Sequence, residues 1–112
     1  MTYFVRKEDV TPRHAELDHG SWPMLDETYG CAPGVYSAIS FYKSEEYRPW
    51  ETHEDMEAFI VLSGTGWAKV GDEEFELKKD TCFVAPAGVR HTVRCCDKNE
   101  PLMMYWVHAP MK

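Results

Sequence analysis

From Val35 onward, apolar residues come in short blocks separated by Gly, Pro, Asp and Ser. Val35–Lys43 is rich in β-branched and aromatic residues and follows a Pro33-Gly34 turn, so it predicts a strand. Glu57–Leu62 predicts a second strand, stopped by Ser63-Gly64-Thr65-Gly66. Trp67–Val70 predicts a third, and Gly71-Asp72 turns it into Glu74–Lys78, where polar and apolar positions alternate. Thr81–Ala85, His91–Cys95 and Leu102–His108 complete the set, and Tyr3–Arg6 is expected to add an N-terminal strand. One helical turn near His14–Asp18 is the most that Gly20 and Pro23 leave room for. Residues 11–34 are broken up by Pro12, Gly20, Pro23, Gly30, Pro33 and Gly34. They read as an irregular segment, a functional cover or a strand without a clear pattern.

Short strands at regular spacing, punctuated by Gly and Pro, argue for an all-β sandwich or barrel. In Glu57–Leu62 both alternating sets are apolar, Ala58, Ile60 and Leu62 on one side and Phe59 and Val61 on the other. Such a strand is covered on both faces, as in a two-sheet jelly roll with a second subunit against its outer face.

Composition narrows the partners. The 112 residues suit one domain spanning residues 1–112, and 44% hydrophobic residues are enough for a core. With 19 acids against 12 bases, the net charge of −7 disfavours nucleic acid and anionic membrane surfaces. Small size and exposed strand edges favour a homodimer. The N-terminus does not read as a targeting segment, no apolar run is long enough to span a bilayer, and the cytoplasm is the expected compartment. None of the four cysteines, Cys31, Cys82, Cys95 and Cys96, forms a CxxC pair, so free thiols are expected.

Two clusters carry chemistry. The first is Glu51-x-His53-x3-Glu57. In an extended chain these odd positions share one face with Phe59 and Val61, unless a turn at Glu54-Asp55-Met56 breaks the parity. A carboxylate facing an apolar interior is costly unless paired, protonated or bound to a metal. The second is Asp80-x5-Pro86-x-Gly88-x2-His91, in which a tight turn delivers His91 to the start of a strand.

With their spacing, the two clusters resemble the paired motifs of the cupin superfamily, G-x5-H-x-H-x3/4-E-x6-G and G-x5-P-x-G-x2-H-x3-N. Here they read Glu51-x-His53-x3-Glu57-x6-Gly64 and Asp80-x5-Pro86-x-Gly88-x2-His91-x3-Cys95, with 15 residues between Gly64 and Asp80. The resemblance covers residues 35–108 and implies a cupin double-stranded β-helix, a jelly-roll β-barrel. It also implies that His53, Glu57 and His91 ligate a metal, a divalent transition ion such as Fe, Mn, Ni or Zn. Glu51 stands where the family usually has a histidine, Asp80 where it has glycine and Cys95 where it has asparagine. Glu51 is then a fourth ligand, the reading its position favours, or a general base beside the ion.

The remaining candidates have plainer readings. His14, His19 and His108 are expected at the surface or at strand ends, although His14 or His19 could reach the barrel mouth from the N-terminal segment, and Cys95 is expected as a buried inert thiol. Trp50, Tyr42, Phe59 and Trp106 are expected mainly in the core, although a pocket could use them. Arg48 and Arg90 flank the clusters and could clamp a substrate carboxylate, but the plainer reading, shared with Glu54 and Asp55, is that of solvated turns. The function expected is that of a metal-dependent enzyme on a small organic molecule, of dioxygenase, isomerase or lyase type. The alternative is a non-catalytic module that binds a sugar or organic acid.

Overall fold

The computed structural model describes residues 2–13 and 16–111. Eight strands form: β1 His19–Pro23, β2 Tyr36–Tyr42, β3 Met56–Ser63, β4 Gly66–Val70, β5 Glu73–Leu77, β6 Cys82–Ala85, β7 His91–Cys95 and β8 Leu102–Ala109. All pairings are antiparallel and make two sheets, one in the order β1-β2-β8-β3-β6 and one in the order β5-β4-β7. This is the expected all-β jelly roll.

The sheets enclose one apolar layer. On β3, Glu57, Phe59 and Val61 point inward, and on β8 Leu102, Met104 and His108 do the same. From the smaller sheet come Ala68, Leu77, Val93 and Cys95, packed with Tyr42 and Ala85. The opposite faces of β3 and β8 are apolar too but only partly buried, as at Ile60 and Tyr105. That two-sided apolarity is why these strands read as continuous runs rather than as alternation.

The N-terminal third differs from expectation. Tyr3–Arg6 forms no strand and leads instead into a 3-10 turn at Lys7–Asp9. The strand of this region is β1, which lies inside the irregular segment and pairs with β2 from His19↔Tyr42 to Pro23↔Ala38. Pro23 is tolerated because β1 is an edge strand. A second 3-10 turn spans Glu27–Tyr29, capped by the Asp26 side chain, which accepts from Thr28 N at 2.9 Å. His14 lies outside the described residues.

Two turns explain motif positions outside the site. Gly64 has φ 77°, and a Cβ there would collide with the Pro101 carbonyl oxygen. Asp80 takes the family's glycine position with φ 70°, a left-handed conformation that Asp tolerates better than most residues. All four cysteines are free thiols, and Cys95 is buried. No helix among the described residues is long and apolar enough to cross a membrane.

Candidate metal centre

The two motifs meet because their backbones are tied together. Glu51 forms an isolated bridge with His91, through Glu51 N to His91 O at 3.0 Å and His91 N to Glu51 O at 2.9 Å. The approach to β3 is thereby fixed to the edge of the three-stranded sheet. The Pro86-Ala87-Gly88 turn adds a second tie, from Gly88 N to the His53 carbonyl at 2.8 Å. Gly88 has φ 78°, and a Cβ added there would meet nothing within 4 Å, so backbone conformation rather than space calls for glycine.

All four ligand candidates expected from sequence, Glu51, His53, Glu57 and His91, come together. His53 Nε2 is 3.5 Å and His91 Nε2 3.3 Å from Glu57 Oε1. Glu51 Oε2 lies farther out, 4.0 Å from each of those nitrogens. The side chain of Glu57 is 7% exposed, whereas that of Glu51 is 66% exposed. Glu51 therefore sits at the rim and Glu57 at the floor. Ligand atoms of Glu51, His53 and His91 lie within 4.8 Å of one another, as do those of His53, Glu57 and His108. Such a cluster of imidazoles and carboxylates could hold a metal ion.

One atom tests that fit. His91 Nε2 is buried and has no hydrogen-bond partner among the described residues. His91 Nδ1 is 3.3 Å from the Val89 carbonyl. If Nδ1 carries the proton and donates it there, Nε2 presents a lone pair, the form of imidazole that binds a cation. A backbone carbonyl on the far nitrogen is a common partner of metal-binding histidines. The donor set thus fits a metal ion.

His108 joins the cluster, against the expectation of a surface or strand-end position. It is 5% exposed and projects inward from β8. Its Nδ1 is 2.9 Å from Asp55 Oδ2 and its Nε2 is 3.4 Å from Glu57 Oε2. Asp55 is correspondingly not a solvated turn residue. The two oxygens of Glu57 have different partners: Oε1 faces His53 and His91, and Oε2 faces His108. The parity His108 shares with Leu102 and Met104 is the one signal in the sequence, but β8 is apolar on both faces and that signal lacks contrast.

Electrostatics follow from this arrangement. Burial pushes the Glu57 carboxyl up, yet the His108 and His91 imidazoles beside it outweigh that and hold Glu57 below its usual value. Burial pushes His91 and His108 down, and the Glu57 carboxylate reverses this, with Val89 helping at His91 and Asp55 at His108. Both imidazoles end above their ordinary value.

A cavity of about 430 Å³ opens from this cluster toward β1 and β2. Arg48 lines it, so Arg48 is not the solvated turn residue expected from sequence. His19 lines it too and stacks on Tyr42 with ring centroids 4.7 Å apart. Tyr42 and Trp106 are wall residues as well as packing residues, and Trp106 Nε1 donates to Ser40 Oγ at 2.7 Å. Phe59 fits the core reading, stacked on Phe83 at 4.3 Å. Trp50 is exposed, with the Arg90 guanidinium 4.1 Å from its ring centroid.

The family model for the cupin domain matches residues 39–108. The chain is a cupin. No curated protein matches it closely enough in sequence to be counted a relative. Solved structures share the fold. A predicted oxalate decarboxylase from Thermotoga maritima superposes with a TM-score of 0.82 at 15% identity, covering 96% of this cupin and 98% of that chain. The polyketide cyclase RemF from Streptomyces resistomycificus gives a TM-score of 0.79 at 17% identity, over 96% and 79% of the two chains. The Cnp3 cupin domain of Schizosaccharomyces pombe gives 0.71 at 19% identity, over 82% of this cupin. This cupin spans just under two thirds, 64%, of that last chain. At these identities the likeness concerns the fold.

Proposed function

We propose that this cupin is a metal-dependent enzyme acting on a small organic molecule. His53, Glu57 and His91 hold a divalent transition ion, and Glu51 stands at its solvent side. The observation that carries the reading is the buried, unpartnered His91 Nε2 beside the Glu57 carboxylate, 3.3 Å from Oε1. A nitrogen lone pair buried against a carboxylate is unfavourable until a proton or a metal ion lies between them, and a site with open positions on its solvent side favours the metal. When bound, such an ion supplies Lewis-acid or redox chemistry at positions left open by two imidazoles and one carboxylate.

The chain's own residues do the rest. Glu57 and the two imidazoles form the floor. The aromatic wall of Tyr42 and Trp106 orients an organic ligand and limits water. Glu51, largely exposed and 4.0 Å from both Nε2 atoms, is placed to take a proton from a ligand seated against the floor.

The test is metal analysis of the purified protein beside His91→Ala and Glu51→Gln. Wild type is expected to take up one equivalent of transition metal and His91→Ala to lose it. Glu51→Gln is expected to keep the metal and lose turnover. No stoichiometric metal in wild type, even after reconstitution, would sink the proposal. Metal loss from Glu51→Gln would make that residue a ligand. Ligand binding without turnover would make the protein a binding module instead.

A further inference from the structure

We infer that the ligand of this cavity is a small organic anion whose carboxylate is gripped by Arg48, an inference that rests on the metal reading for the charge balance of the cavity and for the other end of the ligand. Arg48 belongs to both hollows around the cluster: the large cavity, with His53 and His108, and a small one beside it, with His91 and Thr92. Its position is not left to the side chain alone. Arg48 N donates to the Val93 carbonyl at 3.3 Å, and the Arg48 carbonyl accepts from Thr92 Oγ1 at 2.6 Å. The residue is pinned to β7, the strand that opens with His91.

The guanidinium is underused. Its side chain is 24% exposed, and its one ion-pair contact among the described residues is Asp18 Oδ1, 3.8 Å from Nη1. Asp18 is itself half exposed, and that distance is beyond hydrogen-bond range. No carboxylate among the described residues sits within hydrogen-bond range of the fork, so its N–H donors are open to a ligand in the cavity that Arg48 lines. A planar, bidentate acceptor is the group that fits such a fork.

Charge points the same way. Glu16, Glu51 and Glu57 line the cavity against Arg13 and Arg48, one negative charge in excess when the imidazoles are neutral. A divalent ion on the floor turns that excess into one positive charge. The loaded cavity then favours a monoanion over a neutral ligand. Ser21 and Ser40, paired across β1 and β2, add hydroxyls along the wall between the two ends, which suits a hydroxy- or oxo-carboxylate.

The experiment is calorimetric titration of glycolate, malonate and the neutral isostere glycolamide into zinc-loaded and metal-free protein. Wild type, Arg48→Gln, Arg48→Lys and Arg90→Gln are compared, with metal content measured on the same samples. Carboxylates are expected to bind wild type at least about tenfold more tightly than glycolamide. That preference should vanish in Arg48→Gln, shrink in Arg48→Lys, which keeps charge without the fork, and persist in Arg90→Gln. Arg48→Lys carries the test if Arg48→Gln fails to fold. Equal binding of glycolate and glycolamide, an unchanged preference in the Arg48 variants, or no binding of any probe at millimolar concentration overturns the inference. A protein that takes up no metal yet shows the Arg48-dependent preference retires the metal reading and keeps this one. A metal-loaded protein indifferent to Arg48 does the reverse.

Discussion

Replacing His108 by Leu removes the imidazole that lies between two carboxylates while keeping a similar volume. The stability lost can be worked from the contacts. Removing one partner of a fully buried pair costs about 3–5 kcal/mol, because the other charge is left uncompensated. Here the Asp55 side chain is 25% exposed and water can recover part of its solvation. Glu57 also keeps His53 and His91 near its other oxygen. About 2–3 kcal/mol is therefore expected, or roughly 8–12 °C in the unfolding midpoint of a chain this size.

The pH dependence identifies the cause. The folded-state pKa of His108 is raised, so its contribution is fully present below the ordinary value of 6.5 and is lost as pH rises through the folded value. That of Glu57 is lowered, so its contribution is present above the ordinary 4.5 and is lost as pH falls through the folded value. The gap between wild type and His108→Leu should then be widest between these two ordinary values and narrow on the alkaline side. Urea unfolding in the presence of a chelator, at about pH 5.5 and pH 9, measures it. An equal gap at both pH values would show that lost packing against Tyr36, stacked on His108 at 4.7 Å, is responsible rather than charge. A gap under about 0.5 kcal/mol on the acid side would refute the pairing argument altogether.

Gly64→Ala should destabilise by about 2–4 kcal/mol, since the added carbon meets a backbone oxygen and the left-handed conformation is strained; a loss below about 1 kcal/mol in denaturant unfolding would contradict this. Asp80→Gly, which restores the residue type usual at that motif position, should leave stability unchanged or raise it by a few tenths of a kcal/mol, because relief at φ 70° is offset by the flexibility of glycine in the unfolded chain. Asp80→Val at the same site should lower the midpoint, and a neutral result there would remove the strain argument. Trp106→Phe deletes the donor to Ser40 Oγ, a residue only 1% exposed, and should cost about 1–2 kcal/mol in thermal unfolding, with Ser40→Ala recovering part of that loss.

What sequence can reveal depends on contrast. The hairpin at Gly71-Asp72 and the strands from β2 to β8 are legible because turn residues and apolar blocks alternate sharply. Glu51, His53, Glu57 and His91 are legible because polar residues with ligand chemistry recur at fixed spacing around a turn. β1 is not, because His19-Gly20-Ser21-Trp22-Pro23 has little strand propensity and gains its ladder only by pairing with β2. His108 and Asp55 are 53 residues apart, and their relation exists only once β8 lies beside β3. Arg48 reads as solvated because it falls between acidic residues and a proline, and its place beside the cavity exists only once its backbone is tied to Thr92 and Val93.

The replacement at position 51 has a structural consequence that the motif alone does not convey. A histidine there would add a third imidazole at the rim; Glu51 instead brings a carboxylate to a cavity that already holds Glu57. Two acids in one small hollow repel unless cations separate them. The imidazoles of His53 and His91 lie between Glu51 and Glu57, and Arg48, a fixed cation, lines the same space from beside β7. Removing charge at Arg48 should therefore be felt at Glu51 as well as by the ligand. Arg48→Gln and Glu51→Gln are then expected to be coupled, the double variant binding metal more nearly like wild type than Glu51→Gln and Arg48→Gln predict by simple addition. Strict additivity in a double-mutant cycle on metal affinity would show that the two side chains act independently.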